Sequence, residues 1–250
     1  MLRSRDLLWD GCLNVRDLGG HPTEDGGETR FGSIVRADSV SQLSPEGWEA
    51  LVAYGIRTVI DLRGDHERED DPPRELPVTV EHVPFMEASE AEWEEIAEEL
   101  ERLDELPVAD ATREAYVVFL ERFKPNVGAA LRAVAEAREG GVVVHCVGGK
   151  DRTGLLIALL LHLAGVPTEE IAADYALSEE RLRSRHDAWL EAAETDAERR
   201  RLERIARTPP EVITGLFEEL ERRYGSVEGY LRSAGVSDED LAHARARLRD

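Results

Sequence analysis

The chemistry of this chain is concentrated in residues 142–154, Val-Val-Val-His-Cys-Val-Gly-Gly-Lys-Asp-Arg-Thr-Gly. An apolar run leads into Cys146, and Arg152 follows after five intervening residues. A thiolate is a strong nucleophile; a free thiol with pKa ~8.5 can fall to ~3.5–7.5 at a helix N-terminus beside cations. With a strand ending at Cys146 and a helix starting near Arg152, the amides of Val147 to Arg152 are expected to converge on one point. They would form an anion nest at the positive end of a helix. Gly148 and Gly149 provide the backbone freedom such a loop demands. Arg152 can grip two phosphate oxygens with its planar fork and spread the charge of a transition state. Thr153 is expected to donate its hydroxyl to the Cys146 sulfur, and His145 to buttress the loop backbone rather than touch substrate. The constellation is that of a phosphate trap with a nucleophile at its floor.

A nucleotide-binding P-loop is excluded. It needs Gly five positions before Gly149 and Ser or Thr after Lys150, where this chain has Val144 and Asp151. A buried Cys before a Gly-rich turn would leave the Lys-Asp-Arg-Thr run without a purpose.

The string His145-Cys-Val-Gly-Gly-Lys-Asp-Arg-Thr-Gly154 resembles the signature loop of the cysteine-dependent protein tyrosine phosphatase superfamily. Its Lys-Asp pair narrows the resemblance to a bacterial group of atypical tyrosine and lipid phosphatases. Asn14-Val-Arg-Asp-Leu-Gly-Gly20, Ile34-Val-Arg-Ala-Asp-Ser39 and Ile56-Arg-Thr-Val-Ile-Asp-Leu-Arg63 are similar to further segments of that group, in the same order. The likeness covers residues 12–65 and 140–182; residues 86–125 and 185–210 carry no matching motif.

The resemblance implies a phosphatase that hydrolyses phosphomonoesters through a cysteinyl-phosphate intermediate. Its substrates would be phosphotyrosine, and beyond it phosphoserine/threonine or phosphoinositide. It also implies that Asp151 is the general acid. A carboxylate beside a bound phosphate is expected to hold its proton more tightly, as a general acid must. The alternative for Asp151 is an ion pair with Arg152 or another Arg that shapes the loop. Two upstream residues, Asp104 and Asp110, compete for the role, and Asp61 is read instead as orienting Arg152 or Lys150 from a neighbouring strand. Lys150 either adds charge at the pocket mouth, favouring multiply phosphorylated ligands, or is a solvated turn lysine. Asn14, Arg16 and Asp17 are read mainly as a structural clasp near the site, with substrate contact by Arg16 as the alternative. Cys12 is read as a structural thiol, a protective disulfide to Cys146 being the other option. Two other classes stay open: a phosphate-binding module without turnover, and an arsenate reductase or sulfurtransferase on the same loop.

The elements that must position these residues alternate. Phe31 to Ala37, Arg57 to Leu62, Thr79 to Pro84 and Val142 to His145 read as strands. Ser44 to Tyr54, Ala91 to Leu106, Thr112 to Phe123, Asn126 to Arg138 and Arg152 to Ala164 read as helices, and everything from Thr168 onward is helical. This predicts an α/β fold with a mostly parallel central sheet flanked by helices, phosphotyrosine-phosphatase-like, and a helical C-terminal region. A ligand at the carboxyl end of the Val142–His145 strand fits such a sheet. A single domain over 1–250 is expected, with 86–125 as a helical insertion or lid. The acidic helix 91–106 carries Trp93, Ile96, Leu100 and Leu103 on one face, which needs a partner. The stretch from Asp65 to Pro73 is a charged loop.

Composition narrows the partners. The chain has 250 residues, 42% of them hydrophobic, and a net charge of −22. That charge disfavours nucleic acid and anionic membranes except where a local positive site dominates. Lys124 and Lys150 are the two lysines, so Arg carries almost all positive charge. Two Cys exclude a disulfide scaffold. The seven His show no metal-ligand spacing, so neither metal nor organic cofactor is expected. No segment has the apolar core of a signal peptide or the length of a membrane span. The expectation is a cytoplasmic enzyme acting on a phosphorylated protein or phosphoinositide, its oligomeric state open and secretion by another route not ruled out.

Overall fold

The structure, a computed structural model, describes residues 3–69, 71 and 78–249. Residue 70 and residues 72–73 of the charged loop lie outside the described residues. Five strands form one sheet: β1 (Arg16–Asp17), β2 (Ile34–Ala37), β3 (Ile56–Asp61), β4 (Thr79–His82) and β5 (Gly141–His145). Their order is β1-β2-β5-β3-β4, so the strand that carries the Cys lies at the centre. All pairings are parallel except β1 against β2. The two-residue antiparallel β1 was not foreseen, because two residues are too few to show a period.

β-branched residues alternate across the sheet. Ile34, Ile60, Val142 and Val144 enter the core on one face. Val35, Val59 and Val143 enter the core on the other. Such two-sided burial explains why these strands read as continuous apolar runs.

The first helix, α1 (Pro45–Tyr54), starts where predicted: the Ser44 hydroxyl accepts from the Gly47 amide and Pro45 sits in the first turn. Next come α2 (Glu90–Glu101), α3 (Val108–Arg122), α4 (Lys124–Glu136) and α5 (Arg152–Leu163). The helical C-terminal region is α6 (Thr168–Arg181), α7 (Arg183–Ala192), α8 (Asp196–Ala206), α9 (Glu211–Tyr224), α10 (Val227–Ser233) and α11 (Asp238–Leu248). Helix α5 is buried almost all round, as its unbroken Leu-rich sequence requires. Of the apolar face predicted for α2, Ile96 is buried and Trp93 packs on Phe123 at 5.4 Å between ring centroids. Leu100 and Leu103 line a groove shared with α3 and α8.

One buried ionic cluster locks β1, β2 and α6 together. Arg16 donates from Nε to Asp174 Oδ1 at 2.8 Å, and Arg36 donates from Nη1 to Asp174 Oδ2 at 2.6 Å. Arg16 also reaches the Asp174 carbonyl at 2.6 Å, and both guanidiniums touch Ser178 Oγ. All four residues are buried. Burial alone would raise the Asp174 pKa; the two arginines outweigh it and hold the carboxyl well below the usual range.

Removing one partner of such a cluster strands uncompensated charge, so Asp174→Asn is expected to cost about 3–5 kcal/mol in denaturant unfolding. A depressed folded-state pKa contributes stability that is present above the unfolded value of ~3.9 and is lost as pH falls toward the folded one. Stability measured from pH 6 to pH 2 should therefore fall less steeply in Asp174→Asn than in the wild type. Equal slopes would mean that the cluster is not the acid-sensitive element.

Candidate active site

Strand β5 ends at His145, and α5 begins at Arg152. Cys146 and the loop 147–151 connect them. The Cys146 side chain is buried, whereas Val147 is exposed. Among the described residues no protein group accepts a hydrogen bond from the amides of Val147 to Asp151, which leaves these donors available to an anion.

The loop is fixed through its carbonyls instead. Asn14 Nδ2 donates to the carbonyls of Gly148 (3.0 Å) and Gly149 (3.2 Å), and Arg36 Nη2 donates to Gly149 at 2.7 Å. Arg16 Nη1 holds the Asn14 side-chain oxygen at 2.5 Å. The Val147 carbonyl accepts from the Ser39 amide at 3.0 Å. Asp38 binds the amides of Leu13 and Asn14, and pairs with Arg185 of α7 at 2.6 Å. Of the clasp read from Asn14, Arg16 and Asp17, the first two meet the loop and Arg16 is committed there; Asp17 instead accepts from the amides of Gly19 (2.6 Å) and Gly32 (2.7 Å) and from the Tyr54 hydroxyl, away from the loop. Arg36, Asp38 and Asp174 are unforeseen members of the clasp. A signal for Asp174 existed: Ile171, Asp174, Tyr175 and Ser178 share the buried stripe of α6 at helical spacing.

Of the two loop glycines, Gly149 alone has a left-handed backbone, φ +64°. A Cβ there would lie 2.3 Å from the Ala37 carbonyl oxygen. A Cβ on Gly148 would meet nothing closer than 3.8 Å, so the freedom expected at both positions is needed at one.

His145 donates from Nδ1 to the Cys146 carbonyl at 3.1 Å, the buttressing role predicted for it. Its burial pushes its pKa down, which favours the neutral ring. Thr153 is buried in the first turn of α5. Its hydroxyl finds no hydrogen-bond partner among the described residues, so the predicted bond to the Cys146 sulfur is not formed.

Arg152 is held by a residue the sequence did not mark. Its Nη1 and Nη2 donate to Glu67 Oε2 (2.5 Å) and Oε1 (2.7 Å). Glu67 also receives the Gly64 amide at 2.7 Å, which closes a single 3-10 turn over Asp65–Glu67. Burial would raise its pKa; Arg152 and the Gly64 amide overcome this and lower it. Asp61 does not take the part expected of it. It pairs with Arg63 at 2.8 Å and lies 3.6 Å from His145 Nε2, because β3 aims it at its own following loop.

Lys150 is not a solvated turn lysine. Its buried ammonium donates to the Ile205 carbonyl, in the last turn of α8, and lies 3.5 Å from Asp151 Oδ1. Asp151 is half-exposed and, among the described residues, pairs with no arginine; Tyr116 Oη donates to its Oδ1 at 2.6 Å. Of the competing carboxylates, Asp110 is paired with Arg113 at 2.8 Å and Asp104 lines the groove beside α8. Cys12 donates to the Ser39 carbonyl at 3.4 Å, and both cysteines are free thiols. Burial pushes the Cys12 thiol pKa up, as befits a structural residue. No cluster of His, Cys, Asp and Glu able to hold a metal occurs among the described residues.

Alanine at position 149 should pay ~1–2 kcal/mol for the left-handed backbone and displace the loop from the Ala37 carbonyl. With reacting groups misplaced by ~1 Å, turnover of an aryl phosphate by Gly149→Ala is expected to fall about 10²-fold. Gly148→Ala should stay within a few-fold of wild type. Equal losses in steady-state assays of the two variants would contradict this account of the loop.

The profile of a family described as "Tyrosine phosphatase family" matches residues 7–250. A tyrosine-protein phosphatase of Nostoc commune is 29% identical over 233 residues, 86% of this chain and 74% of that protein. The triple specificity protein phosphatase PtpB of Mycobacterium tuberculosis is 27% identical over 271 residues, 95% of this chain and 97% of that one. A putative tyrosine-protein phosphatase of Cupriavidus necator is 27% identical, over 92% of this chain and 84% of that one. The chain belongs to the tyrosine phosphatase family.

Proposed function

We propose that the protein hydrolyses phosphomonoesters, phosphotyrosine foremost, through a cysteinyl-phosphate intermediate on Cys146. The reading rests on one observation above all. The Cys lies buried at the carboxyl end of the central strand, under a loop whose amides are uncommitted, and the Arg at the head of α5 presents a fork already gripping a carboxylate. A carboxylate held by two parallel N–H donors has the geometry that Arg152 would offer two phosphate oxygens.

In the proposed first step the Cys146 thiolate attacks phosphorus in line. A sulfur–phosphorus bond forms as the bond to the leaving oxygen breaks. Arg152 and the loop amides carry the charge of the equatorial oxygens. Asp151 gives its proton to the departing oxygen. In the second step water attacks the phosphocysteine and Asp151 takes up a proton from that water, returning free thiolate and inorganic phosphate. No step calls on a metal or organic cofactor. Phosphoserine/threonine and phosphoinositides are further candidate substrates. The two non-hydrolytic classes are less well supported: Cys12 is engaged with Ser39 rather than poised as a second thiol, and both Cys146 and Arg152 are present.

Hydrolysis of p-nitrophenyl phosphate in the presence of EDTA tests the reading. Cys146→Ser should abolish turnover, and Asp151→Asn should reduce turnover of phenyl phosphate, whose leaving group needs a proton, by about 10²–10⁴-fold at the pH optimum, in the range of general acid catalysis, and that of p-nitrophenyl phosphate far less. Rapid quenching of a turnover should trap phosphate on Cys146. Folded, reduced wild type without activity would overturn the hydrolytic reading, and activity dependent on added metal would overturn the mechanism.

A further inference from the structure

Helix α3 places Tyr116 on its buried face, with Val117 and Leu120. The phenol donates to Asp151 Oδ1 at 2.6 Å and lies 2.9 Å from the hydroxyl of Tyr175, on α6. The two rings meet edge to face, 6.1 Å between centroids. Both tyrosines are buried. Asp151 is therefore the half-exposed end of a three-group chain whose other members are fixed in the core.

We infer that Tyr116, backed by Tyr175, is the positioning residue of Asp151. It fixes one carboxyl oxygen so that the other carries the proton to the leaving group. The inference rests on the reading of Asp151 as general acid.

The physics favours this arrangement over a merely structural bond. As the proton leaves Oδ2 for the departing oxygen, Asp151 becomes a carboxylate, and the bond from Tyr116 becomes charge-assisted and stronger. An interaction that strengthens along the reaction lowers the barrier rather than the ground state. With its own proton directed at Asp151, Tyr116 accepts from Tyr175, which fixes the direction of donation. Burial and Asp151 hold Tyr116 above its ordinary pKa, so it stays a donor at working pH. Tyr175 is pushed up mainly by burial.

Several other groups face Asp151. They are Lys150 at 3.5 Å and Arg152 from its own loop, Tyr116 from α3, Tyr175 from α6, and His186 from α7 acting through its charge. Among the described residues Tyr116 makes the hydrogen bond to its side chain.

The test compares wild type, Tyr116→Phe, Tyr175→Phe, Asp151→Asn and the Tyr116→Phe/Asp151→Asn double variant. Each is assayed on p-nitrophenyl phosphate, whose leaving group departs unaided, and on phenyl phosphate, whose leaving group needs the proton. Tyr116→Phe should lose about 10-fold in kcat on phenyl phosphate and no more than about 2-fold on p-nitrophenyl phosphate, with KM unchanged. The double variant should be no slower than Asp151→Asn, since the bond acts only through that carboxyl. Tyr175→Phe should show the same pattern about 2–3-fold weaker, and serves if Tyr116→Phe does not fold. Equal losses on both substrates, a change confined to KM, or additivity with Asp151→Asn would overturn the inference. If Asp151→Asn itself lacks the leaving-group dependence, the general-acid reading fails instead, and the inference with it.

Discussion

The structure depends on a carboxylate buried between two guanidiniums. Asp174 is out of water on α6, and it is tolerable there only because Arg16 of β1 and Arg36 of β2 meet both of its oxygens. The cluster carries one net positive charge. Its outer donors run straight to the loop after β5, Arg36 to the Gly149 carbonyl and Arg16 to Asn14, which holds the same turn. A loop pinned by its carbonyls has its amides left for something else. The burial of three charges thus fixes the orientation of the loop backbone, which neither propensity nor apolar packing could fix.

The same α6 turn reaches the loop from its other side. Asp174 acts through the arginines on Gly149, and the adjacent Tyr175 acts through Tyr116 on Asp151. Gly149 and Asp151 of the loop are therefore both referenced to one helix. Charge follows a matching logic. The chain is strongly acidic overall, yet around Cys146 nearly every cation is assigned to a specific carboxylate or carbonyl: Arg152 to Glu67, Arg185 to Asp38, Lys150 to Ile205. At short range such placed charges outweigh the diffuse acidic surface, which solvent screens.

Much of the fold was legible because it rests on local signals. β-branched runs gave four of the five strands, and Ser44-Pro45 marked the start of α1 to within one residue. The Leu-rich stretch after the loop could only be a buried helix. Boundaries shifted where the chain ends an element by tertiary contact. Helix α3 begins at Val108, before the predicted Thr112, because Pro107 can precede a helix without losing a needed N–H. In the site, Cys146, Arg152, Asp151 and the Asn14–Arg16 clasp were readable from spacing and resemblance. Glu67, Arg36, Asp38, Asp174 and Tyr116 were not, since each meets a partner far away in the chain, from 35 positions for Tyr116 and Asp151 to 158 for Asp174 and Arg16.

The sequence by itself determined the chemistry. A thiol and a guanidinium separated by five residues on a strand-to-helix loop admit few uses, and that spacing is covalent, hence fixed before folding. Only the tertiary structure decided how those groups are held. Whether Asp61 or Glu67 grips Arg152, whether Lys150 is solvated or buried, and whether Asp151 faces an arginine or a phenol depend on which strand ends and helix faces come together. Those meetings are settled by burial and by the need to partner every charge removed from water, and neither leaves a short-range mark along the chain.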